Sequence, residues 1–345
     1  MKIKYNQPNL TEEDIEAASN ALRKPHIAGN GPLVLHYEHQ IAEYTGADYA
    51  IAVANATVGL EIVYSFYFNR SYPVKTPSLS FAATATALQR ARILLGDAKP
   101  QIEFVDPTTR FITETEDISV SYAGYPLGGT GFVADDAHYI YEDMCDFAGR
   151  YEARVLSHHA VKPLACGEGG TILTNDPALD VWARNYRSHF RVSTDLGTSG
   201  WVGSNYRMQE AQAAILMNRL PRLSSETETR QALARRYRKN LDGIVKLPPD
   251  HEKHSYHLFV LEFRDKAERD LVQTSLKMEG VESVVHYKPI PLLPAFINKH
   301  QGLWTRATQV WNTCLSIPVH HGLKFADIDF ISDIIKGSVN SWRTG

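Results

Sequence analysis

Cysteine is scarce in this chain of 345 residues. Cys145, Cys166 and Cys314 are few, odd in number and far apart, which leaves neither a disulfide framework nor a C-x-x-C metal site. A surplus of one charge is lacking too. Lys and Arg number 36 against 39 Asp and Glu, so nothing points to nucleic acid or an anionic membrane surface as a partner. No apolar run approaches the length of a membrane span, and Met1-Lys-Ile-Lys-Tyr-Asn-Gln7 has no apolar core of signal-peptide length. Repeats and low-complexity tracts are absent. A soluble, cytoplasmic protein is the expectation, with no membrane and no nucleic-acid partner. The chain is long enough to bury a large core and to form two domains.

What is present is concentrated in Ser157-His-His-Ala-Val-Lys162-Pro-Leu-Ala-Cys-Gly167-Glu-Gly-Gly170. An amine that must attack an aldehyde needs a lowered pKa and a fixed position. Pro163 and the glycines predict a loop holding Lys162 between two strands, where backbone can approach a flat ring closely. A solvated lysine beside a hairpin would read the same way from this segment alone.

Several other stretches predict elements that could serve such an amine. Thr11 to Leu22 reads as a helix capped by Thr11, and Val34 to Tyr44 as a second helix ended by Gly46. Between them, Gly29-Asn-Gly31-Pro32 reads as a loop. The run Tyr49 to Ala54 reads as a buried strand leading into a helix opened by Asn55-Ala56-Thr57-Val58. Backbone N–H groups at such a helix start suit a phosphate, although a simple cap by Asn55 or Thr57 would look alike. Glu103 to Asp106 reads as a structural strand and turn, Ile118 to Pro126 as a strand and turn. Gly131 to His138 reads as a strand ending in Asp135 and Asp136. Asn205 to Arg219 reads as a helix capped by Asn205. Later come a charged helix from Glu226 to Leu241, strands over His254–Phe263 and Val281–Tyr287, and helices over Lys266–Glu279 and Phe325–Ile335. The histidines His254, His257, His286, His320 and His321 lack metal-ligand spacing, and no metal is expected.

Ser-x4-Lys-x-Leu-x2-Gly-Glu-Gly-Gly followed by Thr174-Asn175-Asp176 resembles the lysine region of the DegT/DnrJ/EryC1/StrS family of pyridoxal-phosphate-dependent sugar aminotransferases. So do Asn55 to Leu60, Pro77-Ser-Leu-Ser-Phe81-Ala-Ala-Thr84, Asp135-Asp-Ala-His138, Asn205-Tyr-Arg-Met208 and the small-domain signature His286-Tyr-Lys-Pro289 with Leu315 to His320. The resemblance covers nearly the whole chain. It implies an α/β fold of the fold-type-I class, with a mixed, mostly parallel sheet flanked by helices. Residues 1–225 would form the large, cofactor-binding domain and 226–345 the small one.

By the same resemblance, Lys162 holds pyridoxal phosphate and Asp135 partners the ring nitrogen, Asp136 being the alternative if the register slips by one. Phe81 covers the ring face, and Ala137 and His138 lie beside the ring, His138 near its phenolic oxygen. Ala56, Thr57, Val58 and Ser157 anchor the phosphate together with Asn205 of a partner subunit, which implies a homodimer with shared sites. Ala56 replaces the family's usual Gly, so a slightly remodelled turn is expected. His189 and His286 are the substrate-side candidates, with Phe190 standing where the family has Gly. The implied reaction moves an amino group from L-glutamate to a nucleotide-linked 4-keto or 3-keto 6-deoxy sugar. Alternatives are a dehydratase of the same family, disfavoured because those relatives carry His at the lysine position, and a catalytically silent sugar-binding protein. One departure stands out: relatives place a whole helix between Pro126 and Asp135, where this chain has only a short link. The expectation is an apolar patch covered by another element or by a partner subunit.

Overall fold

The structure, a computed structural model, describes residues 2–68, 72–97, 101–108, 112, 114–190, 203–296 and 304–344. Helix α1 (Glu12–Leu22) begins on a reciprocal cap: the Thr11 side chain accepts the Asp14 N–H while the Asp14 carboxylate accepts the Thr11 N–H. Helix α2 (Pro32–Thr45) starts two residues before its expected position and ends at Gly46, whose φ of 74° is left-handed. Its first turn is capped from far away. The Glu210 carboxylate accepts the N–H groups of Leu33 and Val34 at 2.9 and 3.0 Å.

Next come β1 (Tyr49–Val53), α3 (Ala56–Tyr67), β2 (Val74–Pro77), α4 (Ala83–Leu94), β3 (Ile102–Val105), β4 (Ile118–Val120), β5 (Thr130–Asp136), α5 (Met144–Phe147), β6 (Arg150–Ser157), β7 (Gly170–Thr174) and α6 (Pro177–Tyr186). The main sheet has the order β1-β7-β6-β5-β4. Strands β4, β5 and β6 pair parallel, and β7 is antiparallel to both its neighbours. The parallel pair β2-β3 extends this sheet through side chains: Lys75 N–H donates to Asp117 and Thr115 Oγ1 to the Lys75 carbonyl. Strand β1 pairs antiparallel with β7, and its burial at four of five positions is why Tyr49–Val53 reads as an unbroken apolar run. The sheet is mixed and mostly parallel, as expected.

The connection between β4 and β5 is residues 121–129, with one 3-10 turn at Tyr122–Gly124. Parallel neighbours ordinarily need a longer crossover. Here the exposed flank is covered from within the chain: Tyr122 and Ala123 pack with Leu79, Leu258, Val260, Ala307, Val310 and Cys314.

Beyond α7 (Glu210–Arg219), α8 (Leu223–Leu241) leads to β8 (Phe259–Glu262), α9 (Lys266–Met278), α10 (Thr305–Thr313), β9 (Cys314–Ile317) and α11 (Phe325–Thr344). Antiparallel β8 and β9 share a separate core with α8, α9 and α11, joined by Ile3 from the other end of the chain. Asp106 is structural, as expected: it caps α10 by accepting the Arg306 and Ala307 N–H groups.

Five expectations need correction here. The strand over 254–263 shrinks to β8, because Ser255 and Leu258 donate their N–H groups to Gly124 and Ala123 of the crossover instead of to a ladder. Residues 281–287 form only isolated bridges, Val281 to Ile3 and Val284 to Ser316. Helix α8 starts three residues early and α11 continues nine residues beyond Ile335. Finally, no helix opens at Asn205. That residue bridges Ser188 in an antiparallel contact, and the following helix starts at Glu210, capped by Gln209.

Candidate active site

Strands β1, β4, β5 and β6 point the same way, so their C-terminal ends share one edge of the sheet. Open α/β sheets bind ligands at that edge. It gathers Asn55–Val58, the crossover at Tyr122–Gly124, Asp135–His138 and Ser157–Lys162.

Lys162 lies on the loop between β6 and β7, in a turn closed by its N–H to the His159 carbonyl at 2.8 Å. Asn6 Nδ2 holds the adjacent Val161 carbonyl at 3.1 Å. Burial pushes the lysine amine down from its ordinary 10.5 to about 8, with Asp135 pulling the other way. Desolvation disfavours the charged form, which is what a nucleophilic amine requires.

Asp135 and Asp136 are both buried, at 4% and 1% exposure, but strand alternation sends them to opposite faces. Asp136 is fully engaged by Ser121 Oγ and by an ion pair with buried Arg154 at 2.7 Å. Asp135 meets neutral donors, Thr84 Oγ1 at 2.7 Å and the Ala137 N–H at 3.2 Å. Burial raises its pKa, and the charge of Lys162 opposes that rise. A desolvated carboxylate with neutral neighbours is suited to a cationic partner.

His138 is buried beside it. The Ala123 N–H donates to His138 Nδ1 at 3.3 Å, so in the neutral ring Nε2 carries the proton and donates to Tyr287 Oη at 3.1 Å. Tyr287 also lies 5.7 Å, centroid to centroid, from Phe81, a residue that is 58% exposed. An exposed phenyl ring beside Tyr287 is the kind of flat wall an aromatic ligand would cover.

At the start of α3, Asn55 takes extended angles and its side chain accepts the Val58 N–H at 3.1 Å. The capping reading of Asn55 therefore holds, and Val58's N–H is already engaged. Ala56 is the first helical residue, with no left-handed backbone, so the turn accommodates its methyl group. Ser157 pairs with Gly170 across β6 and β7. A Cβ on Gly170 would fall 2.6 Å from Ala56 N, so only glycine lets β7 pass beneath the helix start.

The remaining candidates stand further out. Asn205 is exposed, and the loop from 191 to 202, with Gly197 and Gly200, lies outside the described residues. His189 is exposed, with φ of 61°. Phe190 keeps a left-handed φ of 56° where Gly would be at ease, its ring packed on Trp182 and Tyr186. His286 donates to or accepts from Ser316 Oγ at 2.8 Å, and burial lowers its pKa to about 4. The glycine loop at 29–31 packs on the Asn205 block: a Cβ on Gly29 would lie 2.4 Å from the Met208 carbonyl, and Asn30 donates to Ser188 Oγ. Sequence reading did not single out Thr84, Tyr287 or His257 as site residues. The first two stand inside quoted blocks; His257 was weighed only as a metal ligand. Among the described residues no group of three or more His, Cys, Asp or Glu side chains is placed to hold a metal ion, and no helix is long and apolar enough to cross a membrane.

The DegT/DnrJ/EryC1/StrS aminotransferase family model matches residues 8–116 and 132–336. The chain belongs to this family. The unmatched stretch contains the short β4–β5 crossover. Among curated proteins, the chain is 28% identical to a UDP-4-amino-4,6-dideoxy-N-acetyl-beta-L-altrosamine transaminase of Campylobacter jejuni, covering 99% of both chains. That alignment runs over 385 positions, more than the chain's own length. A Helicobacter pylori protein of the same name is 24% identical over 98% of both. Among solved structures, Helicobacter pylori PseC, an aminotransferase involved in the biosynthesis of pseudoaminic acid, aligns with a TM-score of 0.86 at 23% identity, covering 99% of this chain and 100% of that one. A putative sugar aminotransferase from Streptococcus pneumoniae in its PLP form gives 0.85 at 20% identity, covering 99% of each. The fold is that of the fold-type-I pyridoxal-phosphate aminotransferases.

Proposed function

We propose that this chain is a pyridoxal-phosphate-dependent aminotransferase that moves an amino group from L-glutamate to a nucleotide-linked keto sugar, a step in amino-sugar biosynthesis. The observation that carries the reading is the pairing of a desolvated amine, Lys162, with a desolvated carboxylate, Asp135, whose hydrogen-bond partners are neutral. Membership of the family and the names of the relatives support the same reaction class.

The residues present fit the cofactor. When bound, pyridoxal phosphate supplies an aldehyde that an amine can hold covalently and a ring that takes up the electron pair left on a neighbouring carbon. Asp135 would hold a proton on the ring nitrogen, oriented by Thr84 and the Ala137 N–H. Phe81 would cover one ring face, and His138 would offer a polar contact beside the ring. The N–H groups of Ala56 and Thr57, the Thr57 and Ser157 hydroxyls and the open end of α3 would bind the phosphate. Val58 contributes through the cap that Asn55 gives it. Asn205 of the partner subunit would complete the phosphate site in a homodimer. Lys162, with its amine free, would carry the proton between the donor's alpha carbon and the carbon that the aldehyde supplied, leaving the amino group with the cofactor. His189 and His286 remain the substrate-side candidates. We take residues 1–225 as the large domain and 226–345 as the small one, in a protein working in the cytoplasm.

The test is direct. Purified protein loaded with pyridoxal phosphate and reduced with borohydride should carry the tag on Lys162, read by peptide mass. Incubation with glutamate and a panel of nucleotide keto sugars should then yield an amino sugar by mass spectrometry. A tag on another lysine, or no amino product from any glutamate-driven reaction, would overturn the reading.

A further inference from the structure

Residues 254–258 join the small domain's core, where Tyr256 packs, to the β4–β5 connection, where Leu258 packs against Tyr122 and Ala123. Ser255 N–H donates to the Gly124 carbonyl at 2.9 Å and Leu258 N–H to the Ala123 carbonyl at 3.1 Å. Ser255 Oγ adds a bond to the His138 carbonyl at 3.2 Å. These bonds bracket His257 on both sides. Gly124, with φ of 89°, makes the close fit possible: a Cβ there would lie 2.3 Å from Ser255 Oγ and 3.0 Å from His257 N. Held in this clamp, the buried His257 ring lies against His138, centroids 4.6 Å apart, and its Nε2 is 3.5 Å from Lys162 Nζ.

The chemistry of that contact is constrained. Burial, with Lys162 close by, keeps His257 neutral at ordinary pH. A protonated amine can only donate, so toward it a neutral imidazole nitrogen serves as acceptor. Asp135 also attracts the amine, but a carboxylate would hold a proton on it tightly; a neutral acceptor holds the amine in place and lets the proton go.

We infer that His257 is a positioning residue for Lys162, its Nε2 accepting an N–H of the protonated amine and tying that amine to the small domain through the 254–258 clamp. This rests on the reading of Lys162 as the catalytic lysine. The charged and titratable groups around the amine are Asp135, His138, His257 and His286, with Tyr287 beside Asp135 and Arg230 near His257.

The test uses cofactor-free protein, so it does not depend on turnover. Acetic anhydride labelling of Lys162 across pH, read by peptide mass, gives the amine's pKa, near 8 in the wild type. His257→Leu removes an acceptor that favours the charged amine, so the pKa should fall by about one unit. His257→Gln, whose side-chain oxygen can take the place of Nε2, should restore at least half of that shift. An unchanged pKa in His257→Leu, or an equal fall in both variants, would overturn the inference and leave His257 as packing. If His257→Leu does not fold, nitrogen NMR of the wild type decides: the His257 Nε2 resonance should move with the Lys162 titration, and a resonance that ignores it overturns the proposal. Borohydride tagging of the loaded wild type reports on Lys162 alone, so failure of the lysine reading is seen separately.

Discussion

Asp135 and Asp136 are adjacent in sequence and opposite in circumstance. One faces neutral donors near Lys162; the other is locked in a buried ion pair with Arg154. Asp135→Asn should leave thermal stability within a few degrees of wild type while lowering turnover by roughly a hundredfold or more, since an amide cannot hold a ring proton. Asp136→Asn should do the reverse, because it leaves the Arg154 charge buried and uncompensated, at a cost of about 3–5 kcal/mol. Denaturant titration beside steady-state rates separates the two. Larger loss of turnover in a stably folded Asp136→Asn would move the ring partner by one residue. Lys162 carries its own pH signature in cofactor-free protein. Its folded pKa of about 8 lies below the free value of 10.5, so between those values the unfolded chain binds more protons and stability rises with pH. Lys162→Met should therefore be more stable than wild type at pH 7, by a few degrees at most because the lysine is partly exposed, with the advantage fading from pH 8 to 10.5. Melting curves across pH check this; an advantage that persists above pH 10.5 would contradict it.

Elements set how closely these residues meet. The start of α3, the end of β6 and the first residue of β7 converge because Gly170 has no side chain. Gly170→Ala would press a methyl group onto the Ala56 N–H, in the region assigned to phosphate. It should weaken pyridoxal phosphate binding by roughly tenfold or more and cost about 1–3 kcal/mol of stability. Equilibrium dialysis with the cofactor measures the first, and unchanged affinity would remove α3's start from the phosphate site. The crossover at 121–129 is the other decisive element. Lacking a covering helix, it is covered by Leu258, Val260, Ala307, Val310 and Cys314 from far along the chain, and that is what brings Ser255 to Leu258 against Ala123 and Gly124.

At the scale of the molecule, Asn205 is exposed on the chain and separated in sequence from the lysine it is proposed to assist. If it serves the partner subunit's phosphate, two inactive variants should complement each other. Mixed dimers of Lys162→Ala with Asn205→Asp, which puts a negative charge beside the phosphate, contain one site with both lesions and one with neither. The intact site should recover up to about half of a normal dimer's activity; no recovery in dimers verified as mixed would place Asn205 in its own subunit's site, and full activity of Asn205→Asp by itself would place it outside any site.

Local signals carried far in this chain because they report local physics. Thr11 with Asp14 caps α1, Gly46 ends α2, and the Tyr49–Val53 run makes a buried strand, each within a few residues of the information that dictates it. The lysine loop, the two adjacent acids and the capped start of α3 were legible for the same reason, and the family resemblance gave them a shared chemistry. The short link before Asp135 could also be read as a departure. What the sequence could not settle was anything set by contacts between distant segments. Residues 254–258 have strand-like composition but donate to the crossover, since tertiary hydrogen bonds outweigh a weak β preference. Asn205 looks like a helix cap yet pairs with Ser188, while Glu210 caps a helix whose first residue lies far upstream. His257, one histidine among many in the sequence, comes within 3.5 Å of Lys162 only because the segment before β8 meets the β4–β5 crossover at Gly124. A residue's propensity is written in its neighbours along the chain; its electrostatic partner is chosen by packing, and only the folded molecule decides that.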